Sequence, residues 1–342
     1  MPAWILARRG PITSPGNNIF MRSESYYFCV HWAAGALIAL FVIAAPGRIC
    51  GQTVQADQRE LARSQAPSPF GPNVPAGGVE AGHAAPTSSD ADLGEQQILK
   101  RAEEYEPLSV SVGVPFYWTS NVALSSSGEE GDFVVAPAAA VFYEPRVNRN
   151  VYEFIGLRQQ MFYYNEFDEF DFGSFDLEVG FRVLVPQCHN LLLRFEYDFN
   201  RLTEKDSVEE FYTDHLFIAN AEVPFRIGRA QQITLGVNES ISVAAIPETP
   251  RRNDYEVYAG YIVNVARALS VNVTGRVVVR DYYHQDGRID VSEILALGAS
   301  YQVTRMLSAG AAATFASSRS NHDVFDYDVA NMGGVVSFSA RF

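Results

Sequence analysis

The chain has 342 residues, 47% hydrophobic and 19% charged, with a formal net charge of −14. That balance excludes a disordered chain, and the acidity argues against nucleic acid as a partner. Aromatic residues make up 13%, a surplus the fold has to place.

The one long uncharged apolar run is VHWAAGALIALFVIAA, residues 30–45. It falls short of the roughly 20 residues of a membrane-spanning helix and is followed by small and polar residues. Residues 1–51 therefore read as a signal or targeting segment, with Met21 as an alternative start; an N-terminal anchor helix is the competing reading. Cys29 and Cys50 lie inside it, which leaves Cys188 alone, without a disulfide framework or a cysteine-based metal site. Residues 52–107 read as a Pro/Ala/Gly-rich linker. It carries one short amphipathic helix near 93–105, where Asp92 and Glu95 fit a capping box and Pro107 ends the helix. That helix serves as a spacer, or alternatively as a plug for the domain that follows.

From Ser109 onward a period of two takes over. Leu191, Leu193, Phe195, Tyr197 and Phe199 alternate with Leu192, Arg194, Glu196, Asp198 and Asn200. Phe175, Leu177, Val179 and Phe181 alternate with Asp176, Glu178, Gly180 and Arg182. Successive side chains of a strand point to opposite faces, so each segment has one apolar and one polar face. About twelve such segments follow, near 109–118, 133–143, 151–164, 172–185, 190–200, 212–225, 231–243, 254–265, 269–282, 290–303, 306–316 and 328–342. All reach, and most exceed, the roughly 9–11 residues with which a tilted strand crosses a bilayer. Short connections such as Thr304-Arg305 alternate with long acidic ones such as the stretch at 201–214. Short turns at one rim, long loops at the other and an even strand number predict a transmembrane antiparallel up-and-down β-barrel over 108–342, with both barrel termini on the periplasmic side. A β-sandwich is the main alternative; it would need a second sheet to cover the apolar face.

The last residues, ANMGGVVSFSARF, put Val336, Phe338, Ala340 and Phe342 on one face and end on an aromatic ring. In this the chain resembles Gram-negative-type outer-membrane β-barrel proteins, porin-like and of about 12 strands, over about residues 108–342. The resemblance implies location in the outer membrane, contact with its lipid and lipopolysaccharide, and reading of Phe338 and Phe342 by the barrel-assembly machinery. It carries no motif that names a solute.

Some positions strain the pattern. Glu239 and Glu293 fall in the outward register, which calls for a place near the outer rim or a register-shifting bulge. Pro137 predicts a bulge or local distortion in the second segment. The expected lumen residues are Asp176, Glu178, Arg182, Arg194, Glu196, Asp198, Glu222 and Arg276, read either as a selectivity constriction or as a network that fills a narrow barrel. Asp214-His215 and His322-Asp323 are the nearest approach to a hydrolase pair, but neighbours in a strand point apart. No catalytic residue, cofactor or metal site is expected. Tyr and Trp near the loop-side strand ends suit an interfacial girdle. The favoured function is a small pore for passive diffusion of polar solutes. The alternatives are a non-conducting structural or adhesive barrel and, less favoured, a barrel hydrolase.

Overall fold

The computed structural model describes residues 54–64, 106–205, 209–228 and 230–342. The expected signal segment and the expected helix near 93–105 lie outside the described residues. One helix, α1 (Val54–Ser64), precedes thirteen strands. They are β1 (Leu108–Thr119), β2 (Asp132–Val135), β3 (Ala138–Tyr143), β4 (Val151–Tyr164), β5 (Phe172–Val185), β6 (Leu191–Glu204) and β7 (Glu210–Ile227). Then come β8 (Gln231–Ile246), β9 (Arg252–Ala266), β10 (Leu269–Tyr282), β11 (Ile289–Gln302), β12 (Leu307–Ser320) and β13 (Tyr327–Arg341).

Each strand pairs antiparallel with its sequence neighbour, and β13 returns to β1, with Ser109 opposite Arg341 and Thr119 opposite Asn331. β2 and β3 are two halves of one stave, since both pair with β1 and with β4. The sheet is thus a closed barrel of twelve staves. The interruption falls at Ala136-Pro137, because proline has no N–H for the ladder. Pairing resumes beyond it without a register slip, so the expected distortion is a missing rung and no bulge. The ladder is kept partly intact by the Ala136 N–H donating to Pro115 O and the Met161 N–H donating to Pro137 O.

The chain end is also part of the ladder. The Phe342 N–H donates to Leu108 O at 2.8 Å and Leu108 N–H donates to Phe342 O at 3.1 Å. A 14-residue strand such as β4 at about 3.3 Å per residue and about 40° of tilt rises about 35 Å, more than the roughly 25 Å apolar band of such barrels.

The polarity is inverted relative to a soluble protein. Asp176 and Asn200 are fully buried, while Phe195 and Val277 are 40% and 46% exposed. In a sandwich those two would be sealed between sheets, so that alternative is rejected. An outer surface dominated by Val, Phe, Leu and Ile on a closed sheet is compatible with hydrocarbon, where every backbone polar group must find its partner within the wall. Glu239 and Glu293 do face outward, opposite Tyr255 and Val277 respectively. Glu293 lies near the loop-side end of β11, close to an outward Arg319–Asp328 pair at 2.9 Å. The bulge between His215 and Leu216 in the β7–β8 pairing lies beyond Glu239 and leaves its direction unchanged. Cys188, expected to be alone, is disulfide-bonded.

Candidate functional site

The lumen draws its charge from the even-numbered positions of β5 and β6. The antiparallel register sets Glu178 directly opposite Asp198 and Arg182 directly opposite Arg194. Like charges facing each other across a ladder are destabilising, and each pair is relieved by a third group. Arg194 Nη2 donates to Glu178 Oε2 at 3.3 Å and pairs with Glu196. Arg158 of β4 reaches Glu178 Oε1 at 3.4 Å. The guanidiniums of Arg182 and Arg194 both lie 4.9 Å from the Phe154 ring, one cation–π partner shared by two cations. Arg182 also donates to Glu144 at 2.6 Å, toward the short-turn rim.

Across the barrel, Arg276 of β10 donates to Glu256 at 3.2 Å. The Tyr258 hydroxyl donates to Glu222 at 2.9 Å. The Tyr258 ring lies where a side chain at position 236 would stand: a Cβ there would come within 2.2 Å of it, so Gly236 leaves the ring its place against Glu222.

The long-loop end of the lumen is held by α1, VQADQRELARS. Arg59 and Arg63, four apart and so on one face, both reach Asp176, Arg59 at 2.6 Å. Asp57 and Glu60 turn the other way. Arg252 of β9 pairs with Asp57 at 2.5 Å and with Glu60 at 2.8 Å, and Arg280 of β10 with Glu60 at 3.1 Å. Gln58 donates to the backbone oxygens of Asn121 and Val122, both at 3.0 Å. Leu61 is 1% exposed and packs with Leu124, Val278, Ile294 and Val329; burying it contributes about 1.5–3 kcal/mol. Ala56 and Ala62 meet the opposite wall, a cluster that includes Tyr117, Phe162 and Leu202. Burial alone would raise the Glu60 carboxyl, but the guanidiniums of Arg280 and Arg252 outweigh it, so its pKa lies below the ordinary carboxylate value. A polar cavity of about 200 Å³ remains between α1 and the wall of β6–β10.

The eight lumen residues expected from sequence all face inward, in three groups. Asp176, Glu178, Arg194, Glu196 and Asp198 form one connected cluster, Arg182 sits toward the short-turn rim, and Glu222 and Arg276 lie on the far wall. Sequence reading missed α1 and the residues that anchor it, Arg252 and Arg280, and it missed Arg158. Residues 54–64 fall in the stretch read as linker. The only local signal was Arg59 and Arg63 at helical spacing beside Asp57 and Glu60.

A catalytic pair does not form at Asp214-His215. Asp214 points inward to the hydroxyls of Tyr212 at 2.8 Å and Ser242 at 2.6 Å. His215 lies on the other face, hydrogen-bonded to Tyr197 and in ring contact with Tyr197 and Phe199. Among the described residues no three His, Cys, Asp or Glu side chains are placed to hold a metal ion.

No family model matches the sequence, and no curated protein matches it. Among solved structures, an outer membrane channel from Pseudomonas putida F1 is similar with a TM-score of 0.51 at 8% identity, over 70% of this chain and 98% of that one. The translocator domain of the autotransporter NalP from Neisseria meningitidis follows at TM-score 0.40 and 13% identity, over 70% and 90% of the two chains. The chain has the fold of outer-membrane β-barrel proteins.

Proposed function

We propose that this protein is an outer-membrane channel for small polar solutes, held closed at rest by α1. One observation carries the reading: besides the charged side chains of the staves, the lumen holds a separate helix docked through ion pairs. A barrel built only as a scaffold would have no need of a removable core element. The fold shared with a channel supports the same reading.

Solute passage would be by diffusion, sieved by lumen width and screened by Asp176, Glu178, Glu196, Asp198 and Glu222 against Arg182, Arg194 and Arg276. Both barrel termini would lie in the periplasm, at the short-turn rim, with the longer acidic loops outside among lipopolysaccharide. Planar-bilayer recording tests the reading. Protein lacking residues 54–64 shows steady open steps while the full chain is mostly closed. A folded but silent deletion protein would return the molecule to a structural or adhesive role.

Phe338 and Phe342 are assigned to recognition by the barrel-assembly machinery. Phe342 is 65% exposed, yet its backbone is paired, so the ring can be read while the ladder holds. Changing Phe342→Ser lowers the amount of barrel recovered from outer membranes several-fold and leaves refolding in detergent unchanged. Equal loss in both settings would make the residue structural only.

A further inference from the structure

The side chains that α1 presents to the wall describe a ligand. Asp176 is fully buried, and its two carboxylate oxygens receive the guanidiniums of Arg59 and Arg63. Next to it, Asp198 is 5% exposed and lines the cavity beneath α1. Arg59 approaches it only to 3.9 Å, beyond hydrogen-bond reach. Asp198 and Asn200 line this cavity, and the Oδ1 atom of each is buried with no hydrogen-bond partner among the described residues. A buried carboxylate oxygen left unbonded carries a desolvation cost that a donor entering the cavity would relieve. Nearby, Asn220, Asn238 and Ser240 add neutral polar groups to the same cavity.

We propose that this wall is a binding site for small organic cations bearing a guanidinium or primary amine, and that α1 is a tethered mimic of them. The inference rests on the channel reading for its physiological meaning. A planar guanidinium suits the site because it can donate to two oxygens at once. A metal ion suits it less, since among the described residues no three acidic, His or Cys side chains are placed to hold one. At about 200 Å³ the cavity is below the roughly 300–1,000 Å³ of drug-sized pockets, which limits the ligand to an amino acid or small amine. Such a solute meets Asp198 first and then competes with Arg59 and Arg63 for Asp176. The molecule that is to pass thus loosens the element in its path.

The test uses the full chain in detergent and a glutamate-specific protease, for which Glu60 is shielded while α1 is docked. Free arginine is the probe. Cleavage after Glu60 rises with arginine concentration and does so far less with equal sodium chloride or glutamine. In Asp198→Asn the half-effective arginine concentration, referred to that variant's own cleavage rate without arginine, rises by about tenfold or more, the loss expected for a charge-assisted hydrogen bond. Three outcomes overturn the proposal: cleavage unmoved by arginine, cleavage moved equally by sodium chloride, or Asp198→Asn responding as the parent does. Unfolding temperature of the variant controls for loss of the barrel. Because the readout is protection and not current, a silent bilayer would sink the channel reading alone.

Discussion

Arg59→Ala with Arg63→Ala opens the channel, raising the open fraction in planar bilayers by about 10²-fold or more. Asp176 is fully buried and accepts from both arginines; without them it keeps the Asn200 amide at 2.8 Å and the Ser174 hydroxyl at 3.4 Å. Removing the partner of a buried charge costs about 3–5 kcal/mol, because the remaining charge is stranded. That penalty applies only while α1 is docked, since departure of the helix admits water to the carboxylate. The balance therefore shifts toward the undocked state, and each 1.4 kcal/mol is about tenfold. Arg252 and Arg280 still hold Asp57 and Glu60 in the variant, so the helix is loosened and not abolished. Arg59→Lys with Arg63→Lys preserves the charge and gives a smaller rise. A double alanine variant as closed as the parent would show that the ion pairs do not hold the plug.

Gly333→Val prevents the barrel from closing. A Cβ at this position would stand 2.0 Å from Phe116 O and 2.4 Å from Tyr117 Cβ. Those atoms belong to β1, directly across the β13–β1 seam, where Gly333 is paired with Tyr117. The obstruction is largely backbone, so no side-chain rotation relieves it. Separating the two strands would leave an open edge in hydrocarbon, where each unpaired backbone group costs several kcal/mol. The loss is at least about 3 kcal/mol, the upper range for overpacking, and it is read as loss of the compact band on unheated gels. Gly275→Ala is the control: its Cβ would meet nothing within 4 Å, and that barrel forms normally. A Gly333→Val protein with unchanged unfolding temperature would refute the seam argument.

The staves are legible in the sequence because two solvents impose them. Hydrocarbon on one side and a wet lumen on the other write a period of two into every segment, and β5, β6 and β10 need nothing further. The same rule assigns Asp176, Glu178, Arg194 and Asp198 to one side of the wall. It does not say which of them meet, because register is a relation between segments. Arg158 was lost because the third segment's faces are ambiguous when read alone, with Arg158 and Gln160 flanked by Gln159 and Met161. The helix is the largest omission, and its cause is physical. A helix on a soluble core shows an apolar stripe, whereas α1 is surrounded by charge and has only Val54, Ala56, Leu61 and Ala62 for its apolar contacts. Its sequence is polar because its surroundings are. The helical spacing of Arg59 and Arg63 hints at a helix, but only Asp176, Arg252 and Arg280 explain where it docks.

The helix lies upstream of β1 on one polypeptide, joined to it through residues 65–107. On the proposed reading stoppering is unimolecular: each barrel owns a single stopper, and the closing rate is the same for a lone molecule in a vesicle as for a crowded membrane. Dilution cannot wash the stopper out, and a free peptide of the same sequence would have to reach millimolar levels to match it. Blocking of this kind is set at translation and needs no second gene product kept in stoichiometry.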